Sequence, residues 1–213
     1  MFGAPIAAGS NGPVPPPNPD SHKLIDAIND QTDGTPPHMV YVIDIVSVRF
    51  GGYFTADVRA ELERYRYLQM LTLNDCGIVS LENFPHLASL IRLDMVFNNI
   101  PGEHLQYLSG LRHIQTLMLG ANKITKVENL NSLKNMRSLL QLDLLNNDVV
   151  KLPGYRAPVF GMFSSLSILD TLDKIGKDAF NNKIVTCPQF QHKTQVELSA
   201  MTSIVVNFEL NWK

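Results

Sequence analysis

The chain has 213 residues, of which 45% are hydrophobic, which is enough for one domain with a sizeable core and terminal segments. Its formal net charge of −2 excludes a global basic field for nucleic acid, and it has no acidic block that would recruit histones by charge alone. Cys76 and Cys187 are the only cysteines, which argues against a disulfide framework or structural zinc and favours a reducing compartment. We find no signal-peptide pattern and no apolar run of roughly 20 residues, so we expect a nuclear and/or cytoplasmic protein.

Most of the prolines lie in residues 1–37, which we expect to be a flexible leader because this composition buries too little surface to offset ordering. Within it, residues 21–30 predict a short helix, with Ser21 as the N-cap and with Leu24, Ile25 and Ile28 on one face. The alternative is a docked arm that covers one end of the domain.

One apolar pattern, L-x-x-L-x-L-x-x-N/C-x-L, recurs four times between residues 68 and 149. Its Asn or Cys positions lie 22, 24 and 25 residues apart, at Cys76, Asn98, Asn122 and Asn147. A weaker copy starts at Val40. This spacing is typical of leucine-rich repeats, whose period is about 20–29 residues.

Each repeat predicts a short strand in one long parallel sheet, because apolar residues two apart point to the same side of a strand. The asparagine then lies at a sharp turn, where its amide bonds buried backbone groups. Apolar residues three apart on the return path indicate 3₁₀ or short helical turns on the convex side. These residues are Leu81, Phe84 and Leu87; Leu105, Leu108 and Leu111; and Val127, Leu130, Leu133 and Met136.

A stack of repeats needs a cap at each end. Residues 55–68 predict a helix with Thr55 as the N-cap and with Val58, Leu62 and Tyr65 on one face. Residues 155–173 follow the last repeat as the C-terminal cap. The repeat domain is therefore predicted to span 38–180, followed by a C-terminal extension over 181–213.

The cap sequence 155-YRAPVFGMFSSLSILD-170, with residues 141–156 before it, resembles the C-terminal cap of the acidic leucine-rich nuclear phosphoprotein family. Residues 35–179 can be laid on that family's repeat domain. The same cap occurs in the spliceosomal A-prime protein and related repeat proteins.

The resemblance implies an α/β fold, a right-handed leucine-rich repeat solenoid with a concave parallel sheet. It also implies a non-enzymatic protein that is nuclear or shuttles to the cytoplasm. Members bind histones, inhibit a type 2A serine/threonine phosphatase and adapt RNA-binding proteins for export. Members end in a long acidic tail, whereas residues 171–213 hold four carboxylates and five lysines, and Thr171 stands where the family usually has Gly.

Residues 204–212 alternate apolar and polar side chains, apart from Val205, and predict a strand. We expect this strand to pack on the domain. The alternative is a strand that binds a partner or a second copy.

No nucleotide-binding, hydrolase or metalloprotease motif is present, and we expect no cofactor, no metal and no enzymatic activity. Asp94 and Asp143 could pair across the sheet as acid and base, but they lie two strands apart, at about 10 Å, without a nucleophile. Cys76 is expected to be buried and structural.

The concave side of the sheet, called the strand face below, is the expected protein-binding site, because side chains there project from a rigid sheet. We expect Met70, Val96, Met118 and Leu145 to form an apolar stripe with Arg92, Asp94 and Asp143 beside it. In the weaker copy, Val42, Asp44 and Val46 hold the equivalent positions. The alternative is that the N-terminal arm or the C-terminal strand covers this face. The predicted binding residues are Met70, Thr72, Asn74, Arg92, Asp94, Val96, Thr116, Met118, Gln141, Asp143 and Leu145.

The leading hypothesis is a monomeric adaptor or regulator that binds a histone or chromatin factor, a phosphatase or an RNA-binding protein, without direct contact to nucleic acid or membrane. The alternative is a structural ribonucleoprotein subunit that resembles the spliceosomal A-prime protein. A stable, stoichiometric complex that contains RNA would favour the second hypothesis.

Overall fold

The computed structural model describes residues 19–179, which fall in two compact units that divide between Asp170 and Thr171. In the first unit, α1 spans Ser21–Thr32, β1 Val42–Val46, α2 Ala56–Glu63, β2 Met70–Asn74, β3 Arg92–Asp94, β4 Thr116–Met118, β5 Gln141–Asp143, α3 Arg156–Met162 and β6 Ile168–Leu169. Its 3₁₀ helices span Pro37–Met39, Gly102–Leu108, Val127–Leu133 and Asp148–Lys151.

The described part of the second unit contains β7, Leu172–Asp173, and a short antiparallel turn. Leu172 forms a bridge with Asp178, and the Ala179 N–H donates to the Thr171 carbonyl over 2.9 Å. The predicted strand at 204–212 and residues 1–18 of the leader lie outside the described residues.

Strands β1 to β6 form one parallel sheet in chain order, which confirms the predicted repeat architecture. The second apolar residue of each motif copy aligns with its counterpart in the next strand, as Leu71, Leu93, Leu117 and Leu142 show. All four are fully buried. Because side chains alternate along a strand, their neighbours in sequence project from the strand face.

The motif asparagines satisfy backbone groups where each strand ends. Asn98 Oδ1 accepts from the N–H groups of Cys76 and Ile78 at 3.1 and 2.9 Å, while its Nδ2 donates to the carbonyls of Leu73 and Met95 at 2.9 and 3.0 Å. Asn122 and Asn147 repeat this arrangement one and two repeats later. Each amide therefore joins two neighbouring repeats as well as closing its own turn.

Cys76 holds the same motif position in the first clear repeat and is fully buried. Its thiol donates to the Asn74 carbonyl over 3.4 Å, and burial raises the pKa of this thiol to about 11. The thiol is therefore protonated at neutral pH and unreactive.

The return paths differ in regularity. Two of the three carry the expected 3₁₀ helices, Gly102–Leu108 and Val127–Leu133, but residues 79–89 form only turns. That repeat has the shortest spacing, 22 residues, and contains Pro85, which lacks the N–H that a helix needs. Leu81, Phe84 and Leu87 are buried even without a helix.

The N-terminal end carries two helices. In α2, Thr55 Oγ1 accepts from the Val58 N–H over 3.3 Å, as predicted for the N-cap. The flexible-leader prediction is wrong for Ser21–Thr32, because α1 contacts α2 and β1 and its Leu24 and Ile28 are fully buried. The helix begins at Ser21 itself, so its N-cap is Asp20 and not Ser21.

Two side-chain contacts fix α1 in place. Thr32 Oγ1 lies 3.1 Å from Tyr65 Oη, and Gln31 Oε1 accepts from the Asp44 N–H over 2.9 Å. The second bond satisfies a donor on the outer edge of β1, which has no neighbouring strand on that side among residues 19–179.

The C-terminal end of the first unit is closed by α3 and β6. Val159, Phe163 and Leu166 are buried, and Arg156 Nη1 donates to the Leu169 carbonyl over 2.8 Å. Between residues 19 and 179, no helix combines the length and the apolar character that a membrane crossing requires.

Candidate protein-interaction surface

The strand face consists of three rows that cross the strands. Strand pairing aligns the first row as Val42, Met70, Arg92, Thr116, Gln141 and Ile168, and the second as Asp44, Thr72, Asp94, Met118 and Asp143. Extending the register by two residues gives the third row, Val46, Asn74, Val96, Gly120 and Leu145. All eleven predicted binding residues lie on this face, although their binding of a partner stays a prediction.

The predicted apolar stripe is not one continuous row. Met70 lies in the first row and Met118 in the second, whereas Val96 and Leu145 lie in the third on either side of Gly120. The motif alone did not separate these rows, because all of these positions project from the same side of the sheet. The exposed apolar side chains of the third row, Val46 at 55% and Leu145 at 39%, lie at opposite ends of it.

Carboxylates dominate the second row. Asp44, Asp94 and Asp143, called the acidic row below, come from β1, β3 and β5. Alternate strands place them about 10 Å apart, so they form a line of charge and not a chelating cluster. Among residues 19–179, no group of three or more His, Cys, Asp or Glu side chains is arranged to hold a metal ion.

Asp94 is held by Arg92 from the first row. Arg92 Nε donates to both carboxylate oxygens at 3.0 Å, and Nη2 donates to Oδ2 at 2.8 Å. Burial raises the pKa of Asp94, Arg92 opposes that shift, and the charge of Asp44 adds to it. This carboxylate is 7% exposed and committed to an ion pair within the sheet.

The Asp143 carboxylate lies over Gly120, which has no side chain. Its Oδ1 accepts from the Leu145 N–H over 3.0 Å, and its Oδ2 lies 2.6 Å from where a Cβ at Gly120 would be. Burial raises the pKa of Asp143, the Leu145 bond opposes this shift, and Asp94 adds to it. Gly120 therefore leaves room for a carboxylate on the strand face.

Two of the predicted binding residues, Asn74 and Thr72, are hydrogen-bonded or buried within the sheet. Asn74 Oδ1 accepts from the Val96 N–H over 2.7 Å, so this side chain supports the neighbouring strand. Thr72, between Asp44 and Asp94, is only 4% exposed, and its Oγ1 has no hydrogen-bond partner among the described residues.

None of the eleven predicted binding residues lies on β6, the last strand of the first unit. The motif predicted five strands in this unit, but β6 adds a sixth, and Asp170 Oδ1 accepts from the Leu144 N–H over 2.7 Å beyond its end. The signal in the sequence is Leu166-x-x-Leu169, which repeats the first half of the motif. Burial raises the pKa of Asp170 to about 6.

Taken together, the strand face offers a rigid sheet, a line of carboxylates with Arg92 as the cation among them, and apolar side chains at its edges. Such a surface can bind a cationic protein segment by charge and by partial apolar burial. Asp94 is ion-paired and Asp143 is bonded to backbone, so neither is positioned as a free general base.

The leucine-rich repeat family matches residues 56–194 of this chain. The chain is 55% identical over 156 residues to a Tetrahymena thermophila protein that is named as a histone, an alignment that covers 73% of this chain and 40% of that protein. It is 38% identical over 111 residues to acidic leucine-rich nuclear phosphoprotein 32 family member A of Drosophila pseudoobscura pseudoobscura, covering 52% of this chain and 42% of that protein. The chain thus spans less than half the length of these relatives.

Among solved structures, the fold is similar to a chain in the Drosophila melanogaster SNF/U2A′ complex. The TM-score is 0.53 at 20% identity, and the match covers 76% of this chain and 87% of that chain. At this identity the likeness supports the repeat fold alone.

Proposed function

The chain belongs to the leucine-rich repeat family, and from this premise we propose that it is a non-enzymatic adaptor or regulator that binds a protein partner on the strand face. The observation that carries the proposal is the acidic row, Asp44, Asp94 and Asp143, on a sheet that is rigid because every motif asparagine joins neighbouring repeats.

The charge of this row favours a basic partner. Arg92 neutralises Asp94, which leaves Asp44 and Asp143 to attract Lys or Arg side chains of an incoming segment. The partly buried Met118 lies between Asp94 and Asp143 and adds apolar contact area.

Histones and basic RNA-binding proteins meet this description better than a phosphatase does. The similarity to a protein named as a histone, and to nuclear phosphoproteins, supports a nuclear setting. We therefore propose that the chain is a nuclear regulator that acts on a chromatin protein. The alternative function is that of a structural ribonucleoprotein subunit.

Affinity capture from nuclear extract, followed by mass spectrometry, tests this proposal. We expect Met118→Lys/Leu145→Lys to lose a set of basic nuclear proteins that the wild-type chain retains, because both substitutions add a positive charge to the strand face. Tyr107→Lys/Leu152→Lys is the matched control, since it adds the same charge on return paths, at side chains that are 41% and 42% exposed.

Circular dichroism must first show that both variants are folded. Loss of the same proteins from both variants, or from neither, would contradict the strand-face proposal. A stoichiometric complex that contains RNA would favour the ribonucleoprotein alternative.

A further inference from the structure

A second surface lies at the edge where the chain leaves the return paths and enters β4 and β5. Arg112, Asn135 and Arg137 line a cleft of about 400 Å³ there. All three residues are exposed, and none belongs to the strand face. The cleft is therefore separate from the surface of the proposed function.

The repeat period places the two arginines side by side. Each stands two residues before the first apolar residue of its motif, Ile114 or Leu139. The Leu140 N–H donates to the Gln115 carbonyl over 2.8 Å, which fixes the register of the two repeats just beyond the cleft. Neighbouring strands lie about 4.8 Å apart, so the two side chains start from adjacent turns.

These two cations lack a carboxylate partner in the part of the chain that the structure describes. Within residues 19–179, neither Arg112 nor Arg137 forms an ion pair with a carboxylate, whereas the arginines at 49, 59, 64, 92 and 156 each do. Two cations on adjacent exposed turns repel each other. An anion bound between them removes that repulsion.

We propose that the cleft binds the dianion of a single phosphate group. Guanidinium groups present paired N–H donors that match phosphate oxygens, and the Asn135 amide adds a neutral donor. A nucleic acid would need an extended basic track with aromatic side chains for stacking, whereas these cations are confined to one cleft. The geometry thus favours a single phosphate group, either free or carried on a phosphorylated side chain.

The test is an NMR titration of the full chain at constant ionic strength, with inorganic phosphate and with O-phosphoserine as probes and free serine as the blank. We expect saturable shifts at the Nε–H signals of Arg112 and Arg137 and at the Asn135 amide with both phosphate probes. A tighter response to O-phosphoserine would identify a phosphorylated side chain as the ligand, and an equal response would identify the free anion.

Arg112→Gln/Arg137→Gln should weaken phosphate binding at least about tenfold, because charge-assisted bonds are the strong ones at such a site. Arg66→Gln is the matched control, since Arg66 holds the same repeat position but lies next to Ala88 and not next to a second arginine. Shifts that do not saturate, or an equal loss in the control, would overturn the proposal. So would a short single-stranded RNA that shifts signals across many repeats while both phosphate probes leave the cleft unchanged.

Discussion

At the scale of single residues, an amide does what an aliphatic side chain cannot. The Asn122 Oδ1 accepts from the Ile100 N–H over 3.0 Å, and its Nδ2 donates to the carbonyls of Met95 and Leu119 at 2.9 and 3.0 Å. A buried backbone group without such a partner costs about 1–3 kcal/mol. The motif predicted this role because an amide offers both a donor and an acceptor to the backbone groups of such a turn.

Asp170 departs from that pattern, since its Oδ1 accepts a hydrogen bond but its buried Oδ2 has no hydrogen-bond partner among the described residues. Arg156 Nη1 lies 3.9 Å from Oδ2. We predict that Asp170→Asn raises the free energy of unfolding by about 1 kcal/mol at pH 7, because an amide keeps the acceptor and removes the cost of burying a charge.

The pH dependence of the free energy of unfolding tests whether the buried charge of Asp170 causes this difference. The folded pKa of about 6 lies above the ordinary value of 3.8, so the folded state binds the proton more tightly. The contribution of Asp170 to stability is therefore present below about pH 4 and lost as the pH rises to about 6. Urea denaturation at several pH values should show the variant's advantage growing over that window. A constant difference, or a less stable variant at pH 7, would contradict this explanation.

The sequence predicted that Asp170 lies in the C-terminal cap, but it did not predict that its Oδ2 is buried without a hydrogen bond. Leu169-Asp170 marks the end of the repeats, but the burial of Oδ2 depends on how α3 and β6 pack. Similarly, the alternation of Leu71 and Leu73 placed Thr72 on the strand face, but its near-complete burial between two aspartates depends on neighbouring strands.

At the scale of elements, α1 closes one end of the sheet. Its Leu24 and Ile28 enter the same core as α2, and Gln31 covers an edge donor of β1. The apolar spacing predicted the helix correctly, but the proline-rich composition around it favoured a flexible leader. Composition averages over a segment, whereas docking depends on a few apolar side chains on one face.

We predict that Ile28→Ala lowers the free energy of unfolding by about 2–4 kcal/mol, because it leaves a cavity between α1, α2 and β1. The unfolding transition should stay single, since this side chain belongs to the core of the repeats. Chemical denaturation followed by circular dichroism measures both quantities.

Asn29→Ala is the matched control, as Asn29 is exposed on the same helix and should change stability by no more than about 0.5 kcal/mol. An unchanged midpoint for Ile28→Ala would mean that α1 contributes little to the domain. A separate early transition would mean that α1 unfolds independently of the repeats.

At the scale of the molecule, the repeat pattern predicted the order of the first five strands and their register, because four in-phase motif copies allow one parallel arrangement. It also predicted which side chains share the strand face. It did not predict how charges and apolar groups divide among the rows, since that depends on contacts such as Asp143 over Gly120. The expected strand at 204–212 stays a prediction.

The relatives are longer than the part that this chain matches. The chain covers 40% of the Tetrahymena protein named as a histone and 42% of the Drosophila nuclear phosphoprotein. More than half of each relative therefore lies outside the alignment, and what those segments do need not apply to this chain.

The most direct test is the affinity of the purified chain for purified core histones, measured by isothermal titration calorimetry at several salt concentrations. We predict that Asp44→Asn/Asp143→Asn weakens binding at least about tenfold and makes it less dependent on salt, because two charges of the acidic row are removed. The control is Glu103→Gln/Glu128→Gln, which removes the same charge from exposed positions on the return paths and should bind as wild type does. Equal affinity in all three proteins, or an equal loss in both variants, would contradict binding of a basic partner at the strand face.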